Sequence, residues 1–133
     1  MSFEIINPRE LGRPLGFTHG LVAPASGRLL FVAGQTATDE AGRITSDDFA
    51  AQFERALARV LAVVRTAGGQ PDHVARMTMY VTTMREYAAS REALGDVWRR
   101  HMGSHYPAMA LVEVTALFDP DALVEIEATA VLP

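Results

Sequence analysis

Neither cysteine nor lysine occurs among the 133 residues, and all 12 basic side chains are arginines. The first absence excludes disulfides, thiolate nucleophiles and zinc–thiolate centres. The second excludes Schiff-base catalysis by lysine, covalent attachment of pyridoxal phosphate included. A net charge of −4 and a pI near 5.5 leave no basic stripe for a nucleic-acid partner. The longest cationic cluster, Arg99-Arg100-His101, falls near a helix end, where it complements the helix dipole. No apolar run approaches the roughly 18 residues of a membrane span, and Met1-Ser2-Phe3-Glu4 lacks the basic flank and apolar stretch of a leader. A soluble cytoplasmic protein is expected, with neither membrane nor nucleic acid as partner. No Gly-x-Ser-x-Gly elbow, phosphate loop or dinucleotide fingerprint is present. Among His19, His73, His101 and His105 only the last two have ligand-like spacing, and Gly103 breaks the helix that would align them. No metal and no cofactor are expected.

What is present is apolar material, 49% of the chain, enough for one compact domain spanning 1–133. Val22-Ala23, the turn-rich Pro24-Ala25-Ser26-Gly27 and Leu29 to Ala33 read as a β-hairpin. Its second strand is apolar on both faces, which predicts a central position in a sheet. Ser46 is the expected N-cap of a helix with Asp47 and Asp48 in its first turn. Phe49, Phe53, Leu57, Val60 and Val64 supply the apolar stripe, and Gly68-Gly69 with Pro71 ends it. Val74 to Thr83 alternates as a strand, with Met77, Met79 and Val81 opposite Thr78, Tyr80 and Thr82. Tyr87, Leu94, Val97, Trp98 and His101 share a face of a second helix closed by Gly103. Two strands follow, about Ala108 to Ala116 and Leu123 to Val131, joined by an Asp119-Pro120-Asp121 turn.

The order ββαβαββ predicts an α+β domain with one mixed sheet: helical crossovers between parallel strands and antiparallel hairpins at the ends. Both helices would cover one face. The other face also carries large side chains such as Tyr80, and monomers rarely expose such a sheet, so self-association is expected.

The carboxylates are the chemically interesting groups. Glu125 and Glu127 share a strand face, and Glu113 shares one with Met109 and Leu111. Neighbours such as Val112, Val124 and Ile126 suggest a dry setting that would suit a carboxylate to proton transfer. For Glu113 and Glu127, pairing with arginines at a subunit boundary is the better reading. For Glu125 a functional and a structural role stay equally open.

Three segments carry a resemblance: Pro14-Leu15-Gly16-Phe17-Thr18-His19-Gly20, Phe31-Val32-Ala33-Gly34-Gln35, and Tyr106 to Val114 with Leu123 to Ala128. Together they resemble the RidA/YjgF/UK114 family of reactive enamine/imine deaminases over nearly the whole chain. The resemblance implies a chorismate-mutase-like homotrimer with a cleft at each subunit boundary. It also implies hydrolysis of small enamines and imines, such as 2-aminoacrylate, to keto acids and ammonia. In that scheme a glutamate matching Glu125 positions water, an aromatic residue matching Phe17 lies near the substrate, and backbone groups near Gly34 hold it. This chain departs from the pattern at Met109, where the family carries a carboxylate-binding arginine, at Ala33, where it carries a serine, and at Phe17, which lacks a tyrosine hydroxyl. Leu111 adds a further apolar neighbour. Losing a charged hydrogen bond to an anion costs about 1.5–3 kcal/mol, so ordinary amino-acid-derived imines are expected to bind poorly. Arg91, where relatives often place an asparagine, is the candidate for a replacement cation. The expected ligand is an imine, enamine or similar unsaturated small molecule that need not carry a carboxylate, hydrolysed with altered specificity. The alternatives are a non-catalytic binding or regulatory member, and an endoribonuclease, against which the acidic charge argues.

Overall fold

The computed structural model describes residues 2–133. Six strands and three α-helices appear in the order β1 (Glu4–Ile6), β2 (Gly20–Val22), β3 (Arg28–Gln35), α1 (Phe49–Thr66), β4 (Val74–Val81), α2 (Met84–Ala89), α3 (Arg91–Met102), β5 (Ala108–Glu113) and β6 (Val124–Leu132). This is an α+β fold with a four-stranded mixed sheet of order β3-β6-β4-β5, in which β4 and β5 are parallel and β6 is antiparallel to both its neighbours. Strands β1 and β2 form a separate antiparallel ribbon.

The α1 stripe forms as its spacing predicts, with Phe49, Phe53, Leu57, Val60 and Val64 all buried. The N-cap is Asp48, two residues beyond the expected Ser46. Its carboxylate accepts the Ala51 N–H at 2.9 Å, while the Ser46 hydroxyl accepts from Asp48 N–H. At the far end Gly68 adopts φ +92°, a left-handed turn that a side chain would strain. On β4, Met77, Met79 and Val81 face the helices, and Val124, Ile126, Ala128 and Ala130 of β6 join them in a single core.

Five expectations, of pairing and of element bounds, are corrected. The strand from Leu29 to Ala33 is an edge strand, with Leu29 62% and Phe31 74% exposed, because apolar residues on its outer face reflect an uncovered surface and not a second core. Its hairpin partner is absent: β2 pairs with β1. The two last strands do not form a hairpin, because β6 inserts between β3 and β4 and uses both of its edges for hydrogen bonds. The second helix is two helices, divided at Ser90 (φ −100°, ψ 5°), and β5 ends at Glu113 instead of Ala116.

Carrying the chain from β5 across the end of β4 to β6 needs a long connection, and one buried polar side chain fastens it. Gln52 of α1 is completely buried. Its amide nitrogen donates to the Ser46 and Asp121 carbonyls at 2.7 and 3.0 Å, and its oxygen accepts the Leu123 N–H at 2.9 Å. Replacing it by leucine leaves these backbone groups unpaired in the interior. Gln52→Leu should lower stability by about 2–4 kcal/mol, read as a fall in the urea midpoint at unchanged slope; a shift below about 0.5 kcal/mol would show that the connection is held by other contacts.

Candidate functional site

The residues that the sequence singles out divide into two groups on opposite sides of the sheet. Side chains of β5 register with β4 as Met77↔Met109 and Met79↔Leu111, so Met109 and Leu111 point to the helix side. Register between β4 and β6 pairs Tyr80 with Glu125, which sends Glu125 to the uncovered side.

On the helix side, two connected hollows of about 240 and 290 Å³ lie between the Leu15–Phe17 segment, helices α2 and α3, and strand β5. They share Leu15, Gly16, Met79, Tyr87 and Met109. Phe17 and Leu111 line one, and Arg91 lines the other. Four of the expected site residues therefore meet in one cleft. The segment bearing Phe17 is held to β5 by the Thr18 N–H donating to the Pro107 carbonyl at 3.2 Å and by a parallel bridge between Thr18 and Ala108. Trp98 and Tyr106 stack in the cleft wall at 5.7 Å, nearly coplanar at 8°, and the Trp98 indole N–H donates to the His105 carbonyl at 3.0 Å. Burial pushes the Tyr87 phenol above its ordinary pKa, with the Arg91 charge pulling the other way, so it stays a neutral donor at neutral pH. Arg91 is the only charged residue in the lining and has no carboxylate partner among the described residues.

The other group gathers around a hollow of about 490 Å³, where Gly34, Phe118, Asp119 and Pro120 surround Glu125. A bulge in β3 makes this possible: Val32 pairs with Ala128 and Gln35 with Ile126, so Ala33 and Gly34 together oppose Glu127. A Cβ at Gly34 would stand 2.5 Å from the Glu125 Oε1 and 2.9 Å from its Cδ. Glycine is thus what lets the carboxylate lie against the backbone. Ala33 is exposed beside it. The expected dry setting of Glu125 is corrected: Val124 and Ile126 point into the core, away from a half-exposed Glu125.

The two other glutamates have structural partners, though not the arginines expected. The Glu127 carboxylate accepts the Tyr80 hydroxyl at 2.6 Å, which raises the Tyr80 pKa, and Glu113 accepts the Met84 N–H at 2.8 Å at the start of α2. Glu125 has no such partner among the described residues. The two histidines with ligand-like spacing are also committed separately, His101 to Glu54 and His105 to the Val74 carbonyl, each at 2.8 Å or less. Sequence reasoning missed Gly95, Trp98 and Tyr106 as cleft residues; the available signal was that Arg91, Gly95 and Trp98 fall at i, i+4 and i+7 on one helical face.

An α+β domain with a bare sheet face and clefts built from strand edges is what the fold and site define. A sequence model described as Endoribonuclease L-PSP matches residues 16–132, and the chain belongs to this family, the RidA/YjgF/UK114 group. A RutC family protein of Pyrococcus abyssi is 30% identical over 132 residues, 98% of each chain, and Protein DfrA of Myxococcus xanthus is 30% identical over 98% of this chain and 97% of its own. The crystal structure of the Rid family protein YyfB from Yersinia pestis superposes with a TM-score of 0.86 at 34% identity, covering 99% of this chain and 100% of that one. E. coli TdcF with bound serine gives 0.70 at 27% identity over 92% of both chains.

The basic cluster at the end of α3 also has a structural task. Arg100 and His101 both reach the Glu54 carboxylate of α1 at 2.8 Å, and these hydrogen bonds, Arg100 first, hold its pKa below the ordinary 4.5. A depressed carboxylate contributes stability above its unfolded pKa and loses it as the pH falls through the folded value. Glu54→Gln should therefore reduce the acid-side slope of stability below about pH 4.5, by less than about 1 kcal/mol because the pair is partly solvated, as measured by urea titrations between pH 3 and 7.

Proposed function

We propose that this chain hydrolyses small enamines or imines at clefts completed between copies of itself, with Glu125 positioning the water. The observation that carries the reading is the split site. A cation-bearing cleft and a carboxylate without a partner lie on opposite faces of one sheet, so they can serve one ligand only if the Glu125 face of one copy meets the Met109 cleft of another. The uncovered face has the apolar character such a contact requires, with Leu29, Phe31 and Val112 exposed.

In this scheme Glu125 takes a proton from water as the oxygen adds to the C=N carbon. That proton passes to the nitrogen to give a carbinolamine; Glu125 then moves the hydroxyl proton to the nitrogen as the C–N bond breaks, and a keto product leaves with ammonia. The resemblance of the three sequence segments to the enamine/imine deaminases supports the reaction class. The serine in TdcF shows that a relative accommodates a small polar ligand. A non-catalytic binding role is the second reading, favoured by Met109, which places no cation on β5. Ribonuclease activity has little support here: Arg99 pairs with Asp96 and Arg100 with Glu54, which neutralises the longest basic cluster.

Two measurements test this. Glu125→Gln should reduce ammonia release from freshly generated imines about 100-fold or more, with a Michaelis constant within a few-fold. Gly34→Ala should reduce it about tenfold or more by displacing the same carboxylate, at an unchanged melting temperature. Full activity in both variants would return Glu125 to a structural role. In sedimentation equilibrium the chain should run as a homotrimer of about three times 14.4 kDa, the number three following the family resemblance. A monodisperse monomer at micromolar concentration would exclude the shared cleft.

A further inference from the structure

Helix α3 contains a glycine that its own fold does not require. Gly95 lies in the helix interior, where glycine is the least favourable residue after proline. It is absent from the glycines of positive φ, so the backbone would accept any side chain. The nearest atoms to a Cβ there belong to the flexible guanidinium of Arg99, at 3.5 Å or more. Packing does not demand it either. What a side chain at 95 would fill is the helix-side cleft, which Gly95 lines together with Arg91 one turn earlier and Trp98 one turn later.

From this we infer that the cleft takes a monocarboxylate bearing a bulky apolar group, with the carboxylate on Arg91 and a ring lying over Gly95 against Trp98 and Tyr106. The assignment deepens the proposed function, since it treats that cleft as the ligand site, but it stands on observations of a single chain. Arg91 is a fixed positive charge without a carboxylate partner among the described residues, at the edge of an otherwise uncharged lining. The Tyr87 phenol beside it can donate a second hydrogen bond. Phe53, Met79, Leu94 and the stacked Trp98–Tyr106 pair form an apolar floor below them, largely buried already, against which a ring packs with more contact than a two- or three-carbon acid can make. The methionines 79 and 109 suit an irregular apolar ligand, because the thioether chain adapts its shape. The hollow beside Gly95 and Arg91, about 240 Å³, has room for a single ring with a short acid chain, and the adjoining hollow of about 290 Å³ leaves space for substituents.

Calorimetric titration of the full chain with 3-phenylpropionate, propionate and 3-phenylpropionamide tests this. The aromatic acid should bind at least tenfold more tightly than either of the others. Arg91→Gln should erase the preference for acid over amide. Gly95→Leu should abolish binding of both aromatic compounds while the melting temperature stays equal or rises, since a helix glycine has been removed. Propionate binding as tightly as 3-phenylpropionate, an unchanged acid preference in Arg91→Gln, unchanged binding in Gly95→Leu, or no binding of 3-phenylpropionate by the folded chain would each overturn the assignment. The two proposals fail separately. Binding of 3-phenylpropionate without ammonia release from any imine removes the hydrolase and leaves the ligand class; release from 2-aminoacrylate that 3-phenylpropionate does not inhibit removes the ligand class and leaves the hydrolase.

Discussion

The pleat of β6 is the constraint from which the rest of the structure follows. Because it pairs on both edges, neither register can slip without moving Val124, Ile126, Ala128 and Ala130 out of the core together. The same alternation that buries these four fixes Glu125 and Glu127 on the other side. One strand thus supplies the centre of the hydrophobic core and the candidate catalytic carboxylate, and a period of two separates them. Met109 is subject to the same rule from β5, with the opposite sign. No side-chain rearrangement within a single copy can bring position 109 and Glu125 to one ligand. That geometric obstacle is why self-association and function are coupled in the proposed reading.

Around this sheet, polar groups are used where the chain must leave regular pairing. Gln52 fastens the β5–β6 connection from beneath. Arg59 reaches up from α1 to the Gln35 side chain at 3.1 Å and to the Thr38 carbonyl at 3.1 Å, fixing the end of β3 where the bulge places Gly34 against Glu125. Both ends of the Glu125 hollow are thereby tied to the same rigid helix, which is buried along one whole face. A carboxylate held between anchored segments loses less freedom when it orients a water molecule.

Element type was readable wherever periodicity was strong. The α1 stripe, the alternation of β4 and the alternation of β6 all form at the residues expected, and two of the three motifs that resemble the family bring Phe17, Met109 and Leu111 to one cleft, while the other brings Gly34 to Glu125. Pairing was not readable, because hydrogen-bond partners are set by which strand needs two edges, and local sequence carries no record of that. Apolar residues on β3 look alike whether a second core or a second copy covers them, so Leu29 and Phe31 suggested a central strand. The break at Ser90 was hidden because Tyr87, Leu94 and Trp98 keep helical spacing across it. Gln52 is illegible for a related reason: a buried amide breaks a local preference, and its compensation includes Asp121 and Leu123, distant in sequence.

Met109 and Arg91 stand on different walls of the cleft, one on a strand and one on a helix. A guanidinium at position 109 would project from a strand into a lining of Met79, Tyr87 and Leu111, where desolvation is costly unless an anion is already bound. A guanidinium at 91 stands at the exposed first turn of α3; on the proposed reading it keeps water in the absence of ligand and closes on a carboxylate only when the apolar body below it is in place. The first arrangement recognises the acid group and tolerates a small remainder. The second makes recognition of the acid conditional on filling the cleft, since the ion pair gains strength only as the ligand excludes water around it. Moving the cation from strand to helix rim, on the proposed reading, shifts selectivity from charge to shape without changing the fold.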